Sequence, residues 1–352
     1  MSSIIGKKLK ISIFGQSHSE GIGVVIDGLP AGIEIDMEEI DNFMQRRAPG
    51  NADFSTKRKE ADEVEFLSGL FNGKTCGAPL CAIIKNTNTR SGDYDNLKTV
   101  PRPSHADYTA HIKYGGFQDY TGGGHFSGRL TAPLCIAGAV CKKILSNMGI
   151  DITAHIKSIK NVEDLPFYFK DIKKPTDDKF PILDEEIKEK MLGVIEDARK
   201  KGDSVGGVIE CAVCGLKAGI GEPMFDGIEN QISKIIFGIP AVKGIEFGLG
   251  FESTKMYGSE NNDEYIIENE KIMTKTNNSG GILGGISTGM PIIFKVAIKP
   301  TPSISMEQDS VNIKEKTQEK LVINGRHDPC IVPRAVPCVE AATAIAILDM
   351  LI

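Results

Sequence analysis

The chain has 352 residues, 41% of them hydrophobic and 25% charged, with a formal net charge of -6. That composition supports a buried core of ordinary size and excludes both a disordered chain and a generally basic nucleic-acid binder. The start, Met1 to Lys10, is polar and basic without an apolar signal core, and no run reaches the roughly 18 apolar residues of a membrane span. A cytoplasmic protein with eight reduced thiols is therefore expected, binding neither membrane nor nucleic acid.

In chain order, apolar β-branched runs predict strands over Leu9–Phe14 and Ile22–Asp27. Asp36 then opens a helix, with Glu39 three residues on and Met37, Ile40, Phe43 and Met44 on one face; Pro49 closes it. A strand follows over Leu80–Lys85. The longest helix is expected from Ser127 to Met148, its stripe formed by Leu134, Ala137, Val140, Cys141, Ile144, Leu145 and Met148, with Gly149 as the stop. Next come a strand over Ile152–Ile159, a helix over Asp184–Lys201 and a strand over Val208–Val213. Asp226, with Glu229 at the capping-box position, predicts a helix ending at Gly238. A strand over Pro291–Ile298 and an Ala-, Val- and Ile-rich helix from Pro333 complete the set. The polar stretches Lys170–Lys179 and Ser259–Asn278 read as surface insertions or loops. Strands and helices mix without strict alternation, so α+β layering is expected, not a dinucleotide-binding sheet. No linker divides the candidate site residues, so residues 1–352 read as one catalytic domain.

Four segments carry chemistry. His18 follows the first strand in Gly15-Gln-Ser-His-Ser19, a strand-end loop suited to proton transfer. Two prolines stiffen Arg102-Pro-Ser-His-Ala-Asp-Tyr108, where Arg102 and His105 could hold an oxyanion or move a proton beside one. Three glycines in Tyr120-Thr-Gly-Gly-Gly-His-Phe-Ser-Gly-Arg129 precede the long helix, so their amides could face a phosphate near Arg129. Arg326, His327, Asp328 and Arg334 fall within nine residues, and a carboxylate among arginines could act as a base. Solvated charge, a turn histidine or a local ion-pair network are the bland readings of each.

Other patterns fail. Gly69 to Thr75 is one residue short of a phosphate-binding P-loop, and Pro79 blocks the helix that should follow. Gly248-Leu-Gly250 lacks the third glycine of a dinucleotide fingerprint. Cys211 and Cys214 sit on a predicted strand, facing opposite sides, with no second pair at zinc spacing; no metal site is expected. Residue chemistry by itself leaves an enzyme and a non-catalytic binder open, each for a phosphorylated anion.

Seven strings in one order resemble the chorismate synthase family: Gly15-Gln-Ser-His-Ser19, Gln45-Arg-Arg-Ala-Pro-Gly50, Arg102 to Tyr108, Gly122 to Arg129, Gly280 to Ser287, Lys299-Pro-Thr-Pro-Ser303 and Gly325-Arg-His-Asp-Pro-Cys330. They span almost the whole chain. The resemblance implies a β-α-β sandwich with a helical layer between antiparallel sheets, assembled as a homotetramer. It implies trans-1,4 elimination of phosphate from 5-enolpyruvylshikimate 3-phosphate with reduced FMN, a step of aromatic amino-acid biosynthesis. NADPH is a candidate reductant; otherwise a separate source of reduced flavin is needed.

By the same resemblance, His18 protonates the leaving phosphate, His105 protonates the reduced flavin, and Asp328 deprotonates flavin N5. Arg47, Arg129 and Arg334 match substrate-binding arginines. His125, Phe126, Ser127, Pro240, Ala241, Gly284, Lys299, Pro300, Thr301, Pro302, Ser303 and Arg326 match FMN-binding positions. Asp53 stands where many members carry Arg; either Lys57, Arg58 or Lys59 supplies that charge, or the contact is absent. His125, Phe126 and Pro240 also depart from the common residues, which leaves backbone contacts as the expected mode there.

Overall fold

The computed structural model describes residues 3–50, 62–87, 97–176, 178–323 and 328–352. One antiparallel sheet comprises β1 (Ile4–Ile5), β2 (Lys10–Gly15), β3 (Gly21–Asp27), β4 (Glu65–Ser68) and, beyond a small hairpin of β5 (Leu70–Phe71) and β6 (Lys74–Thr75), β7 (Leu80–Lys85). Its strand order is β1-β2-β3-β7-β4. Alternation sets its inner face: Ile22, Val24 and Ile26 pair with Ile84, Ala82 and Leu80, and all six are buried.

A second antiparallel sheet is built from β8 (Asp151–Ile159), β9 (Val162–Glu163), β10 (Gly207–Cys214) and β11 (Val242–Phe247). After the hairpins β12 (Tyr265–Glu268) with β13 (Lys271–Thr274) and β14 (Ile282–Leu283) with β15 (Ile286–Ser287), β16 (Ile292–Ile298) inserts between β11 and β10. A last hairpin joins β17 (Gln308–Asn312) to β18 (Thr317–Leu321).

The helices are α1 (Met37–Arg47), α2 (Asp107–Tyr114), α3 (Thr131–Asn147), α4 (Glu185–Lys200), α5 (Ile228–Ile236), the single turn α6 (Gly258–Asn261) and α7 (Val332–Leu351). α3 packs on β2, β3 and β7, while α7 packs on β8 and β10 and against α1, α3 and α5. The helices therefore form the middle layer of a sheet–helix–sheet sandwich, and α4 covers part of the second sheet's other side at β8 and β9. This central position explains why α3 and α7 are buried nearly all round, where a one-sided stripe was expected for α3.

Glu340 of α7 fastens the layer. It accepts from Arg46 of α1 at 2.8 and 2.9 Å, from Lys142 of α3, and from the Ala154 amide of β8 at 3.2 Å. Burial would raise this carboxyl, but Lys142 and Arg46 hold it at about 2. α3 and α7 also run parallel in close contact. A Cβ on Gly138 would overlap the Cα and Cβ of Ala341, so only glycine permits the approach.

Two expectations need correction. Asp226 does not cap α5; Gly227 does, and Asp226 instead meets Lys7 at 2.6 Å and accepts from Gln231 at 3.0 Å. The stretch Ser259–Asn278 is not all loop, because it holds the β12–β13 hairpin.

Candidate active site

A cavity of about 700 Å³ opens beside the C-terminal end of α1 and the N-terminal end of α7. The loop before α2, the segment before α3, residues 237–243 and residues 299–303 complete its walls. Among the described residues Arg47, Arg102, Arg129, Lys243, Lys299 and Arg334 line it, against one lining carboxylate, Asp328. In a chain of net charge -6, this concentrates positive potential at one concave place. Phe237, Ile239, Pro240, Ala241 and Ile331 add an apolar wall. The volume and the mixed lining suit a small organic anion.

His105 is held by its neighbours. Its Nδ1 lies 2.5 Å from Asp107 Oδ1 and 3.0 Å from Arg102 Nη2. A carboxylate can only accept, so Nδ1 carries hydrogen and donates to Asp107, while Arg102 donates to the same carboxylate through Nε and Nη2 at 2.7 Å each. The ring then presents Nε2 away from this pair. Burial would raise the Asp107 carboxyl, but hydrogen bonds from Arg102 and His105 keep it well below the usual carboxylate range. Ser104, at φ +59°, bends the chain so that Arg102 and Asp107 meet around the ring. Arg102 Nη1 reaches Ser303 Oγ at 3.3 Å.

His18 reaches the site from behind the glycines. Ser17 Oγ donates to the Thr121 carbonyl at 3.0 Å and faces His18 Nδ1 at 3.0 Å; the Ser17 amide donates to the Gly124 carbonyl at 3.1 Å. A Cβ on Gly122 would overlap the His18 ring, and one on Gly123 would stand 3.1 Å from His105 Cε1. Neighbouring Cα atoms are about 3.8 Å apart, so one dipeptide separates the two imidazoles. The glycines thus serve imidazole packing. They do not open the long helix, because α3 begins at Thr131.

The arginines converge on carboxylates. Arg47 donates to Asp62 at 2.6 Å, to Thr131 Oγ1 at 3.1 Å and to the Gly128 carbonyl at 3.2 Å. Arg129 pairs with the other Asp62 oxygen and donates to Asn86 at 3.2 Å. Burial would raise the Asp62 carboxyl, but Arg47 and Arg129 lower it. Arg334 pairs with Asp328 and donates to the Arg47 carbonyl at 3.0 Å.

Of the remaining predicted positions, His125, Phe126, Ser127, Pro240, Ala241, Lys299, Thr301, Pro302 and Ser303 line the cavity, as do His105, Asp328 and the three arginines. His125 is bound on both ring nitrogens, to the Gly15 carbonyl and Ser3 Oγ at 2.8 Å each. Lys299 donates to the Ser104 carbonyl, and burial, then Lys243, lowers its pKa. His18 packs against the lining residue Gly122, and Pro300 is exposed. Gly284 does not join them. It sits in the β14–β15 turn, whose Gly285 packs on Gly227 at the N-terminal end of α5, whereas the cavity lies at that helix's other end. Asp53, Lys57, Arg58, Lys59 and Arg326 lie outside the described residues. Asp107 and Asp62 are the site residues that sequence reading passed over.

The sandwich thus holds a concave site walled by arginines and lysines, with two imidazoles at its glycine edge. A sequence profile of the family described as chorismate synthase matches residues 9–352. The chain is 46% identical to a chorismate synthase of Dehalococcoides mccartyi, covering 99% of this chain and 96% of the relative. It is 47% identical to that of Pyrococcus abyssi, covering 99% and 97%. A crystal structure of chorismate synthase superposes with a TM-score of 0.75 at 29% identity, covering 99% of this chain and 92% of the other. The chain belongs to the chorismate synthase family, a family of enzymes.

Proposed function

We propose that this protein is a lyase that converts 5-enolpyruvylshikimate 3-phosphate to chorismate by trans-1,4 elimination of phosphate, with reduced FMN as cofactor. The observation that carries the reading is the pairing of two imidazoles across Gly122–Gly123 with an arginine wall in one cavity. A substrate bearing a phosphate and two carboxylates needs several fixed cations, and Arg47, Arg129 and Arg334 supply them. His18 gives a proton to the departing phosphate. His105, its Nδ1 fixed on Asp107, presents Nε2 for proton transfer with the flavin, and Asp328 beside Arg334 is the proton acceptor.

The lining fits a flavin. Among the described residues Thr301 Oγ1 has no hydrogen-bond partner, and this buried polar atom stands in the wall that Ser303, Lys299, Pro240 and Ala241 share. The apolar side at Phe237 and Ile239 suits a planar ring. Reduced FMN, when bound, would supply electron density that weakens the C–O bond to phosphate and would take up the hydrogen lost from C6. The reading places the enzyme in the cytoplasm, in aromatic amino-acid biosynthesis, as a homotetramer served by NADPH or a separate flavin reductant.

Anaerobic protein with chemically reduced FMN should form chorismate and release phosphate, while oxidised FMN alone should not. Product without any flavin would overturn the mechanism. His18→Ala and His105→Ala should each slow turnover by about 10²-fold or more; wild-type rates would remove those roles.

A further inference from the structure

One cavity residue has no part in the proposed elimination. Cys338 lines the wall on α7, one helical turn after Arg334, and its Sγ donates to the Arg334 carbonyl at 3.4 Å. Behind it, on α3, Cys135 stands with its Sγ 3.8 Å from the Cys338 sulfur. Cys135 is fully buried and does not reach the cavity. The two helices run parallel here, since Cys135 faces Cys338 and Gly138 faces Ala341, the same offset one turn on. That glycine contact holds the backbones close at the thiols. The bridge requires the sulfurs to close from 3.8 Å to about 2.05 Å.

The thiols are also unequal. Cys135 donates its hydrogen to Cys338, and Arg47 and Arg334 favour the Cys338 thiolate against burial, so Cys338 is lowered while burial raises Cys135. At Cys330, by contrast, burial dominates and pushes the thiol up to about 12. Cys338, only 2% exposed, thus meets the cavity at its wall with a second thiol in reach behind it.

We propose that Cys338 is a peroxide-reactive site inside the anion cavity, resolved by Cys135 into a Cys135–Cys338 disulfide that switches the enzyme off until it is reduced. The Cys338 thiolate attacks one oxygen of hydrogen peroxide; the O–O bond breaks, and hydroxide leaves and takes a proton as water. Cys338 is then a sulfenic acid. The Cys135 sulfur attacks it, the S–O bond breaks, and the departing hydroxyl leaves with the Cys135 proton as a second water. Two thiols lose two electrons, and the peroxide gains them. Bridging draws the Cys338 sulfur toward α3 and away from Arg47 and Arg334, so it disturbs the guanidiniums that hold the substrate.

The test uses the full chain, reduced and then freed of reductant without oxygen. It is treated with a small excess of hydrogen peroxide, alkylated, and digested without reductant. A peptide joining Cys135 to Cys338 should appear in the mass map and vanish after dithiothreitol. Turnover should fall by about tenfold or more, as for a misplaced binding group, and return on reduction. Cys135→Ser should keep its turnover before peroxide, form no bridge, and lose activity irreversibly as Cys338 oxidises further. The proposal is overturned if folded protein yields no such peptide, or if bridged protein turns over like reduced protein. Only the turnover arm rests on the elimination reading. The peptide map decides the bridge whether or not chorismate is the product.

Discussion

At His105 the position of a proton is decided two residues away. Asp107 takes the Nδ1 hydrogen, and Arg102 keeps that carboxylate charged and still. An amide in its place donates as well as accepts, so the ring can adopt the other tautomer. Asp107→Asn should therefore lower kcat by about 10²-fold or more with little change in KM. It should also move the pH profile, which a merely structural residue would leave in place; an unchanged profile and kcat would sink the assignment. His18, His105, Asp328, Arg47 and Arg129 stand out in the sequence because each lies in a string that resembles the family, and Arg334 follows four residues after the last of them. Asp107 stood in one of those strings, but its role comes from the Ser104 bend that folds Arg102 back onto it. Asp62 had no local signal at all. Its partners Arg47 and Arg129 lie 15 and 67 residues away, joined only by the fold. Gly284 matched by string yet belongs to a turn remote from this chain's cavity.

Among the elements, the tightest junction is α3 on α7. Gly138→Ala gains about 1 kcal/mol of helix propensity, but the new methyl meets backbone and cannot be absorbed by a rotamer change. Overpacking of this kind costs about 1–3 kcal/mol, so net destabilisation is expected, read as a lower urea midpoint at unchanged slope. Equal or higher stability would show that the helices part freely. The six predicted strands and five predicted helices all occur, within a few residues, because each carries a clear apolar period. What escaped prediction is short, polar or irregular. α2 begins directly after a proline-stiffened turn, β11 bears a register shift between Val242 and Gly244, and the β17–β18 hairpin is mostly exposed. Such elements take their shape from neighbours, and their own periodicity is too weak to announce them.

Across the whole molecule, stability is tied to pH through buried ion clusters. On the second sheet His155 lies between Asp164 at 3.1 Å and Glu210 at 3.0 Å, all three buried. Burial lowers the imidazole, but the bonds to Asp164 and Glu210 outweigh it and raise its pKa. A raised folded value means the contribution is complete below the ordinary histidine value of about 6.5 and is lost as pH rises through the folded one. Asp164 is lowered by His155 and the Leu183 and Leu165 amides against burial, so its share is lost as pH falls through its folded value. Melting temperature should therefore decline faster above about pH 6.5 in the wild type than in His155→Gln. Parallel curves would show that this cluster does not set the alkaline limit.

The carboxylates seated among the cavity arginines have a consequence for selectivity. Asp62 bridges Arg47 and Arg129, and Asp328 holds Arg334, so those guanidiniums already carry resident counter-ions. A newcomer must exchange with them and not simply land on bare charge. Chloride or a lone carboxylate offers one interaction for one displaced. A rigid molecule with several anionic arms can turn over several pairings at once, and the enzyme thereby screens its crowded ionic surroundings by valency and spacing before any chemistry begins.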